Sequence, residues 1–189
     1  MITRLILIYL ALTSGLITLS AQTNKEAEQD KHFFMEGSLR LGFGDKTRLG
    51  ISPGIHYRLT PSLSIGAGII AESFQNKTSD QASYHTGIYG SNIIINYKVK
   101  RMSQHLNPRT SVFLHFEQEF LNLEDQYFKS TATSGRSWHD ATFLGLKVKR
   151  KFGKKDRFAL SLIAAWNLNN SEAADIIYNN PVIKLGFQF

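Results

Sequence analysis

The sequence predicts an all-β fold, an eight-stranded antiparallel up-and-down β-barrel. Between residues 33 and 189, apolar and polar residues alternate with a period of two, the pattern of strands whose two faces meet different environments. Turn-forming residues divide this region into eight segments, an even number, as closed up-and-down barrels require. Most of the connections alternate along the chain between short turns and longer loops. This is typical of barrels that have turns at one end and loops at the other.

The first four strands are predicted over 33–43, 48–59, 63–72 and 84–99. Residues 44–47 and 60–61 form turns, and 75–83 form a polar loop. Pro53 cannot donate a ladder hydrogen bond, which favours a bulge in the second strand. The apolar faces consist of Met35, Leu39, Leu41, Leu49, Ile51, Ile55, Leu59, Leu63, Ile65, Ile69, Tyr89, Ile93, Ile95 and Tyr97.

The last four strands are predicted over 111–120, 142–149, 158–166 and 183–189. A basic turn (100–108) precedes them, the longest loop (122–137) follows the fifth strand, and 153–156 and 167–175 make the remaining connections. The apolar faces consist of Val112, Leu114, Phe116, Phe120, Leu144, Leu146, Val148, Phe158, Leu160, Leu162, Trp166, Ile183, Leu185 and Phe187.

The N-terminal residues have the three parts of a secretory signal peptide. Arg4 supplies the positive start, 5–19 are mostly apolar, and Ser20 and Ala21 are small residues at the expected cleavage site. We therefore predict a cleaved signal peptide over 1–21, a flexible polar leader over 22–32 and the barrel domain over 33–189. A retained membrane helix is the alternative, but the apolar run is short for one.

The composition excludes several kinds of site. Cysteine is absent, so the chain has no disulfide, thiolate metal site or cysteine nucleophile. The histidines show no metal-ligand spacing, and we expect neither a metal nor another cofactor. The formal net charge is +7, but in an exported chain without a nucleic-acid-binding motif this does not indicate nucleic acid.

Alternation alone does not distinguish a transmembrane barrel from a soluble secreted barrel that encloses an apolar ligand. Two features favour an eight-stranded antiparallel up-and-down transmembrane β-barrel with its apolar face outward. The polar face is rich in small residues that suit a narrow interior: Gly42, Gly50, Gly54, Gly66, Gly68, Gly90, Gly145 and Gly186. Aromatic residues recur near the strand ends, as in membrane-interface girdles: Tyr57, Tyr97, Trp138, Phe158, Trp166, Phe187 and Phe189.

The last residues, 184–189 (KLGFQF), resemble the C-terminal signal of Gram-negative outer-membrane barrel proteins, with Leu185, Phe187 and Phe189 at the alternating apolar positions. The resemblance implies recognition by the barrel-assembly machinery and an outer-membrane location. Residues 33–189 as a whole resemble the small eight-stranded barrels of the OmpX and OmpA type, without the periplasmic domain that follows the barrel in OmpA. We expect a porin-like cell-envelope protein, a monomer in contact with outer-membrane lipid and lipopolysaccharide.

The polar face carries charges that the predicted barrel encloses. They are Glu36, Arg40, Arg48, Arg58, Glu72, Glu117, Glu119, Lys147, Lys149 and Lys184. Unpaired charges away from water are costly, so we expect these side chains to pair, with Arg48 facing Glu72 across the second hairpin. An ion-paired plug is favoured over a selective pore or gate, because eight strands leave little space.

Two groups of residues could in principle support catalysis. Ser111, His115 and Glu117 share a strand face, and His139 precedes Asp140. Alternate residues of a strand lie about 6–7 Å apart, which we take as too far for direct hydrogen bonds. The sequence therefore predicts a protein without enzymatic activity, and a lipid A-modifying hydrolase or acyltransferase of the same fold is the alternative.

Basic residues cluster where the short turns are predicted: Lys100, Arg101, Lys149, Arg150, Lys151, Lys154 and Lys155. They form either a solvated rim or a surface that attracts anionic lipid headgroups. The long loops at the other end, 75–83 and 122–137, are predicted to form a binding, adhesion or protective surface, since a rigid scaffold leaves function to its loops.

Overall fold

A computed structural model describes residues 32–42, 46–76, 84–128, 134–153, 158–169, 177–178 and 180–189. The predicted signal peptide and nearly all of the leader lie outside these residues. The strands are β1 (Phe33–Gly42), β2 (Lys46–Thr60), β3 (Leu63–Asn76), β4 (Tyr84–Lys98), β5 (Thr110–Glu124), β6 (Arg136–Phe152), β7 (Phe158–Asn167) and β8 (Val182–Gln188). Two short helices, α1 (Lys100–Gln104) and α2 (Asp125–Phe128), lie in connections.

The strands form one closed antiparallel barrel in the order β1 to β8. Each strand pairs with its neighbour in the chain, and β1 pairs with β8 from Glu36 opposite Gln188 to Arg40 opposite Lys184. Closure leaves neither sheet edge unpaired. The predicted fold class is confirmed. Among the described residues no helix is long and apolar enough to cross a membrane.

The apolar face points outward and the polar face inward. Met35 is 61% exposed, whereas the neighbouring inward residues Glu36 and Arg40 are 7% and 3% exposed. The same alternation holds in the other strands, so Leu49 and Ile55 are exposed while Glu117 and Lys184 are buried. The barrel thus encloses charge within an apolar exterior, as the glycine and aromatic patterns predict.

The connections at the two ends differ. We call the end with the β2–β3, β4–β5 and β6–β7 connections the turn end, and the opposite end the loop end. In the first turn, Thr60 Oγ1 accepts hydrogen bonds from the backbone N–H of Ser62 (3.2 Å) and Leu63 (3.0 Å). Gly153 begins the β6–β7 turn with a φ of +86°, a conformation that favours glycine. Residues 100–108, predicted as a turn, contain helix α1.

Two expectations about the strands were wrong. The predicted loop 122–137 is shorter, because Asn122 pairs with Trp138 and Glu124 with Arg136 in the extended β5–β6 hairpin. Polar residues form this part of the β5–β6 ladder, and their sequence no longer alternates between apolar and polar residues. Pro53 causes no bulge, since Ile51 opposite Ala71 and Gly54 opposite Gly68 are in the same register. The irregularity in this hairpin lies between Arg58 and Thr60 instead.

Candidate functional site

Arg40 spans the barrel interior. It lies on β1, and its guanidinium donates two hydrogen bonds to Glu119 of β5, from Nη1 to Oε2 (3.0 Å) and from Nη2 to Oε1 (2.6 Å). Lys184 of β8 donates from Nζ to Glu117 Oε2 (2.7 Å) and Glu119 Oε1 (2.8 Å). Because β1 and β5 lie on opposite sides of an eight-stranded barrel, this bidentate pair bridges the interior from wall to wall.

Glu72 joins the same group of charges. Arg48 Nε donates to Glu72 Oε1, and Arg40 Nη1 lies 3.7 Å from Glu72 Oε2. The two side chains expected to meet across the second hairpin therefore do meet. They are not directly opposite, however: Glu72 pairs with Gly50 and Arg48 with Phe74, so the contact is diagonal. We call Arg40, Arg48, Glu72, Glu117, Glu119 and Lys184 the central ion-pair cluster.

His115 extends the cluster toward the turn end. Its Nε2 lies 3.1 Å from Glu117 Oε2, and its Nδ1 lies 2.8 Å from Asn96 Oδ1. The expectation that His115 and Glu117 are too far apart was wrong, because side chains on the concave face of a tightly curved sheet converge. Both ring nitrogens of His115 are occupied, so neither is left to activate Ser111, and Ser111, His115 and Glu117 do not form a catalytic triad.

The remaining predicted lumen charges lie nearer the turn end. Lys147 Nζ donates to Glu36 Oε1, and both side chains are buried. Lys149 Nζ donates to Gln188 Oε1 (3.0 Å) and lies 4.7 Å from the ring centroid of Phe113. Lys149, which the sequence assigned both to the lumen and to the basic rim, therefore points inward. Arg58 lies 5.6 Å from the Phe34 ring centroid.

Glycines on β3 make room for this polar filling. A Cβ added at Gly66 would lie 2.3 Å from His56 Nδ1, and one at Gly68 would lie 2.6 Å from Asn92 Oδ1. Asn92 in turn donates to Glu117 Oε1 (2.6 Å) and Ser52 Oγ (3.2 Å). The space beside Gly66 and Gly68 is thus occupied by the neighbouring side chains of His56 and Asn92.

A cavity of about 10 Å³ remains beside His56 and Asn92, with Glu36, Ser52 and His115 also in its wall. This volume holds about one water molecule. His56 Nδ1 and Asn92 Oδ1 are buried and have no hydrogen-bond partner among the described residues. The interior therefore has a water-sized void between the central ion-pair cluster and the Lys147–Glu36 pair. The described residues contain no group of three or more acidic or histidine side chains that could hold a metal.

The sequence did not predict that the loop end of the interior is apolar. We call its principal residues the apolar stopper: Phe74, Ile88, Leu121, Leu123, Phe128, Phe143, Ile177 and Tyr178. Phe128 comes from α2 in the β5–β6 connection, and Ile177 and Tyr178 come from the β7–β8 connection, so loop residues fold back into the barrel. Ile88 interrupts the polar face of β4 in the sequence, which is one signal of this apolar region.

The apolar stopper is bonded to the charges beneath it. Tyr178 donates its hydroxyl hydrogen to Glu119 Oε2 (2.6 Å), and its ring packs edge-on against Phe143. Arg48 Nη1 donates to the backbone carbonyl of Ile177 (2.6 Å) and its Cζ lies 4.8 Å from the Tyr178 ring centroid. Tyr178 and Arg48 thus join the apolar stopper to the central ion-pair cluster.

A serine, a histidine and an aspartate meet at the loop end. Ser137 Oγ lies 2.9 Å from His139 Nε2 and also donates to Asp125 Oδ1. Asp125 Oδ1 is 4.0 Å from the same nitrogen, His139 Nε2. Sequence reasoning singled out His139 but paired it with Asp140, which instead accepts a hydrogen bond from Asn169 Nδ2 (3.0 Å). Asp125 was missed because it approaches His139 only through the hairpin connection, and Ser137 was missed because residues two apart on one strand were taken to be too far apart for a direct hydrogen bond.

The C-terminal strand places its alternating residues on the outer surface. Leu185 and Phe189 are exposed, and Phe187 stands opposite Gly37 across the β1–β8 seam. A Cβ added at Gly37 would lie 2.7 Å from the Phe187 ring, so this ring covers the glycine. Phe187 therefore packs across the seam that closes the barrel.

Comparisons with known proteins found similar chains among the solved structures. No protein-family model and no curated protein matches the chain. Among solved structures, the chain is similar to the N-terminal β-barrel domain of OprF from Pseudomonas aeruginosa, with 13% sequence identity and a TM-score of 0.46. The match covers 84% of this chain and 97% of that domain.

Proposed function

We propose that this chain is an integral outer-membrane β-barrel protein with a closed interior, whose outer loops form a binding, adhesion or protective surface. The inverted distribution of polarity carries the proposal: large aliphatic side chains cover the exterior, and ionised side chains fill the interior. In water this arrangement would expose apolar surface and bury charge, both unfavourable. In a bilayer it matches the solvent on each side of the wall.

Seven of the eight strands are long enough for this role, and the last, β8 (Val182–Gln188), has seven residues. β1 and β7 have ten residues each and β2 has fifteen, and tilted strands of about 9–11 residues cross the hydrocarbon region. Rings of exposed aromatic residues lie toward both ends of the wall, with Trp138 and Tyr89 toward the loop end and Tyr97 and Phe189 toward the turn end. Such rings sit at the two interfaces of a membrane.

The interior argues for a closed barrel and against a porin. A solute would have to break the Arg40–Glu119 bridge, separate Lys184 from two carboxylates and displace the apolar stopper. Breaking buried pairs costs several kcal/mol each. The charged interior also argues against a soluble barrel that holds an apolar ligand, because the cavity beside His56 and Asn92 has room for about one water.

Two experiments test the proposal. Cell fractionation should place the chain in the outer membrane, and the folded barrel should migrate differently before and after boiling on a denaturing gel. Planar-bilayer recordings should then show no conductance above background for the wild-type protein. Recovery of the chain in the soluble periplasmic fraction without a heat-dependent shift would refute the membrane assignment, and steady ion conductance would refute the closed interior.

We propose partners on the same basis. The exposed wall contacts outer-membrane lipid and, at the loop end, lipopolysaccharide. Leu185, Phe187 and Phe189 serve as the assembly signal read by the barrel-assembly machinery, supported by the exposure of Leu185 and Phe189 at the C-terminal end of the barrel. Phe189→Ser should lower the amount of folded barrel in the membrane, whereas Leu168→Ser, an exposed position outside the signal, should leave it unchanged.

A lipid-modifying enzyme is a second candidate, and one observation favours it. Ser137 Oγ and His139 Nε2 are at the distance of a nucleophile and its general base, at the rim where acyl chains and headgroups would meet. The position of Asp125 argues against a catalytic triad. Asp125 accepts from Ser137 and approaches Nε2 of His139, whereas in a catalytic triad the acid binds the opposite ring nitrogen. The non-enzymatic candidate is therefore preferred.

The two candidates are separated by an acyl-release assay. The folded barrel is incubated with phospholipid or lipid A in mixed micelles, and released fatty acid is measured for wild type, Ser137→Ala and Ser111→Ala. We expect no release above background in any of the three. Release that is lost in Ser137→Ala and kept in Ser111→Ala would establish the enzyme.

A further inference from the structure

Two buried polar atoms of residues that line the small cavity lack a hydrogen-bond partner among the described residues. They are His56 Nδ1 on β2 and Asn92 Oδ1 on β4, and each residue is only 1% exposed. Leaving a buried polar atom without a hydrogen bond is costly, and such atoms are normally bonded to protein or to an ordered water. The cavity therefore offers two bonding positions to a small ligand.

Asn92 determines what such a ligand must supply. Its Nδ2 donates to Glu117 Oε1 (2.6 Å) and to Ser52 Oγ (3.2 Å), so both amide hydrogens are used and the remaining amide atom, Oδ1, is the acceptor. An amide oxygen does not donate, so the ligand must bring either a hydrogen-bond donor or a positive charge. This requirement excludes anions and molecules without a polar hydrogen.

The charges in the cavity wall favour a neutral ligand. The wall contains two carboxylates, and each already has a cationic partner: Lys147 donates to Glu36, and Lys184 donates to Glu117 at 2.7 Å. Arg40 Nη2 also lies 3.5 Å from Glu117 Oε1. A metal cation or an ammonium ion would add positive charge to buried groups that are already balanced, which is unfavourable.

The size of the cavity limits the ligand to a single heavy atom. Its volume is about 10 Å³, which matches one water molecule. Water also suits His56, because it both donates and accepts and can therefore bond to Nδ1 in either ring tautomer. The acceptor on Asn92, the balanced charges and the volume thus all favour the same ligand.

We propose that this cavity is a binding site for one water molecule, which donates to Asn92 Oδ1 and bonds to His56 Nδ1. The water joins β2 to β4 inside the barrel and, through the Asn92 amide, connects His56 to Glu117 of the central ion-pair cluster. This water site goes beyond the proposed function and does not depend on a membrane location, because only inward-facing side chains form it.

A high-resolution crystal structure of the folded barrel in detergent tests this. We expect one isolated density peak about 2.7–3.2 Å from both His56 Nδ1 and Asn92 Oδ1. His56→Phe keeps an aromatic ring stacked on Phe34, whose centroid lies 5.2 Å from that of His56, but it removes Nδ1, so the peak should be lost or weakened. His85→Phe, at an exposed histidine bonded to Ser73, is the matched control and should retain the peak.

Nuclear Overhauser effects between water and methyl groups give a readout in solution that needs no variant. Ile94 lines the cavity, whereas Ile88 of the same strand lies in the apolar stopper. With isoleucine methyl groups labelled, we expect a cross-peak between water and Ile94 and none between water and Ile88.

Several outcomes would overturn the water site. In the crystal they are a cavity without density, a direct hydrogen bond between His56 and Asn92, a peak with the several short oxygen contacts of a bound cation, or an unchanged peak in His56→Phe. In solution, the absence of the Ile94 cross-peak from the folded wild-type protein would do so.

Discussion

Tyr178 and Glu119 connect two chemically different halves of one interior. The tyrosine comes from the β7–β8 connection and lies in the apolar stopper, and its hydroxyl donates to a carboxylate that Arg40 and Lys184 also bind. A loop residue is thereby fixed by the buried charges of the barrel wall. Closing the loop end and pairing the charges are therefore coupled, because Glu119 takes part in both.

Replacing Tyr178 by phenylalanine should destabilise the barrel modestly. The ring would still fill the stopper, but Glu119 would lose one of its donors, and a hydrogen bond to a charged group contributes about 1.5–3 kcal/mol. We expect a loss of that size in the free energy of unfolding, measured by urea titration in detergent. Tyr97→Phe, at an outward-facing tyrosine, is the control and should change the value by less than about 0.5 kcal/mol. Equal effects of the two variants would contradict the coupling.

Glu119→Gln should be much more harmful than the same change at Glu124. At position 119 the change removes the negative charge that two buried cations share, and breaking a buried pair costs about 3–5 kcal/mol. Glu124 pairs with Arg136 at 2.9 Å, but both side chains are about one-third exposed, so its loss should cost about 0–1 kcal/mol. Both values come from unfolding titrations. A smaller loss of unfolding free energy for Glu119→Gln than for Glu124→Gln would contradict this prediction.

Gly66→Ala should destabilise the barrel through His56. The added Cβ would lie 2.3 Å from His56 Nδ1, and overpacking of this kind costs about 1–3 kcal/mol. Combining it with His56→Ala should recover part of the loss, which a double-mutant cycle would measure. Gly135→Ala serves as the control, since its Cβ would meet only Asp125 Oδ2, at 3.9 Å. Strict additivity of the two changes at 56 and 66 would show that the contact is unimportant.

Phe187→Ala should weaken the β1–β8 seam. The ring covers Gly37, and removing it would uncover the glycine and leave a gap on the outer wall. We expect the heat-dependent gel shift to occur at a lower temperature than in wild type. Ile183→Ala, at another outward-facing position of β8, should lower it less, because Ile183 pairs with Ala164 on the opposite side of the strand. A larger effect at 183 would argue against a particular role for the ring.

The barrel was predictable because each strand has one apolar face and one polar face. Met35 next to Glu36 and Leu39 next to Arg40 show the period of two directly, and Thr60 and Gly153 mark turns by their own chemistry. The polar faces also indicated which charges would meet inside. Their individual partners depend on barrel curvature and diagonal contacts, as the 3.1 Å approach of His115 to Glu117 demonstrates.

The apolar stopper could not be predicted in the same way. Phe128 and Tyr178 lie in connections, where no periodicity says whether a ring is exposed or folds back into the barrel. Leu121 and Leu123 do alternate, but with the parity of the polar residues Glu117 and Glu119. The inward face of β5 thus changes from charged to apolar residues. This change indicates an apolar loop end only when the ends of the barrel are known. The Ser137–His139–Asp125 contacts depend likewise on the hairpin that brings Asp125 back to β6.

The pairing of β1 with β8 also constrains biogenesis. These are the first and the last strands of the barrel to be synthesised, so every shorter nascent length has at least one edge whose backbone groups lack a neighbour. Gly37 of β1 is likewise uncovered until Phe187 of β8 has been synthesised and packs over it. Until β8 pairs with β1, the aliphatic residues of the strands have no closed wall that separates them from the charged residues. The two faces of the sheet are therefore fully separated only after the last strand has been made.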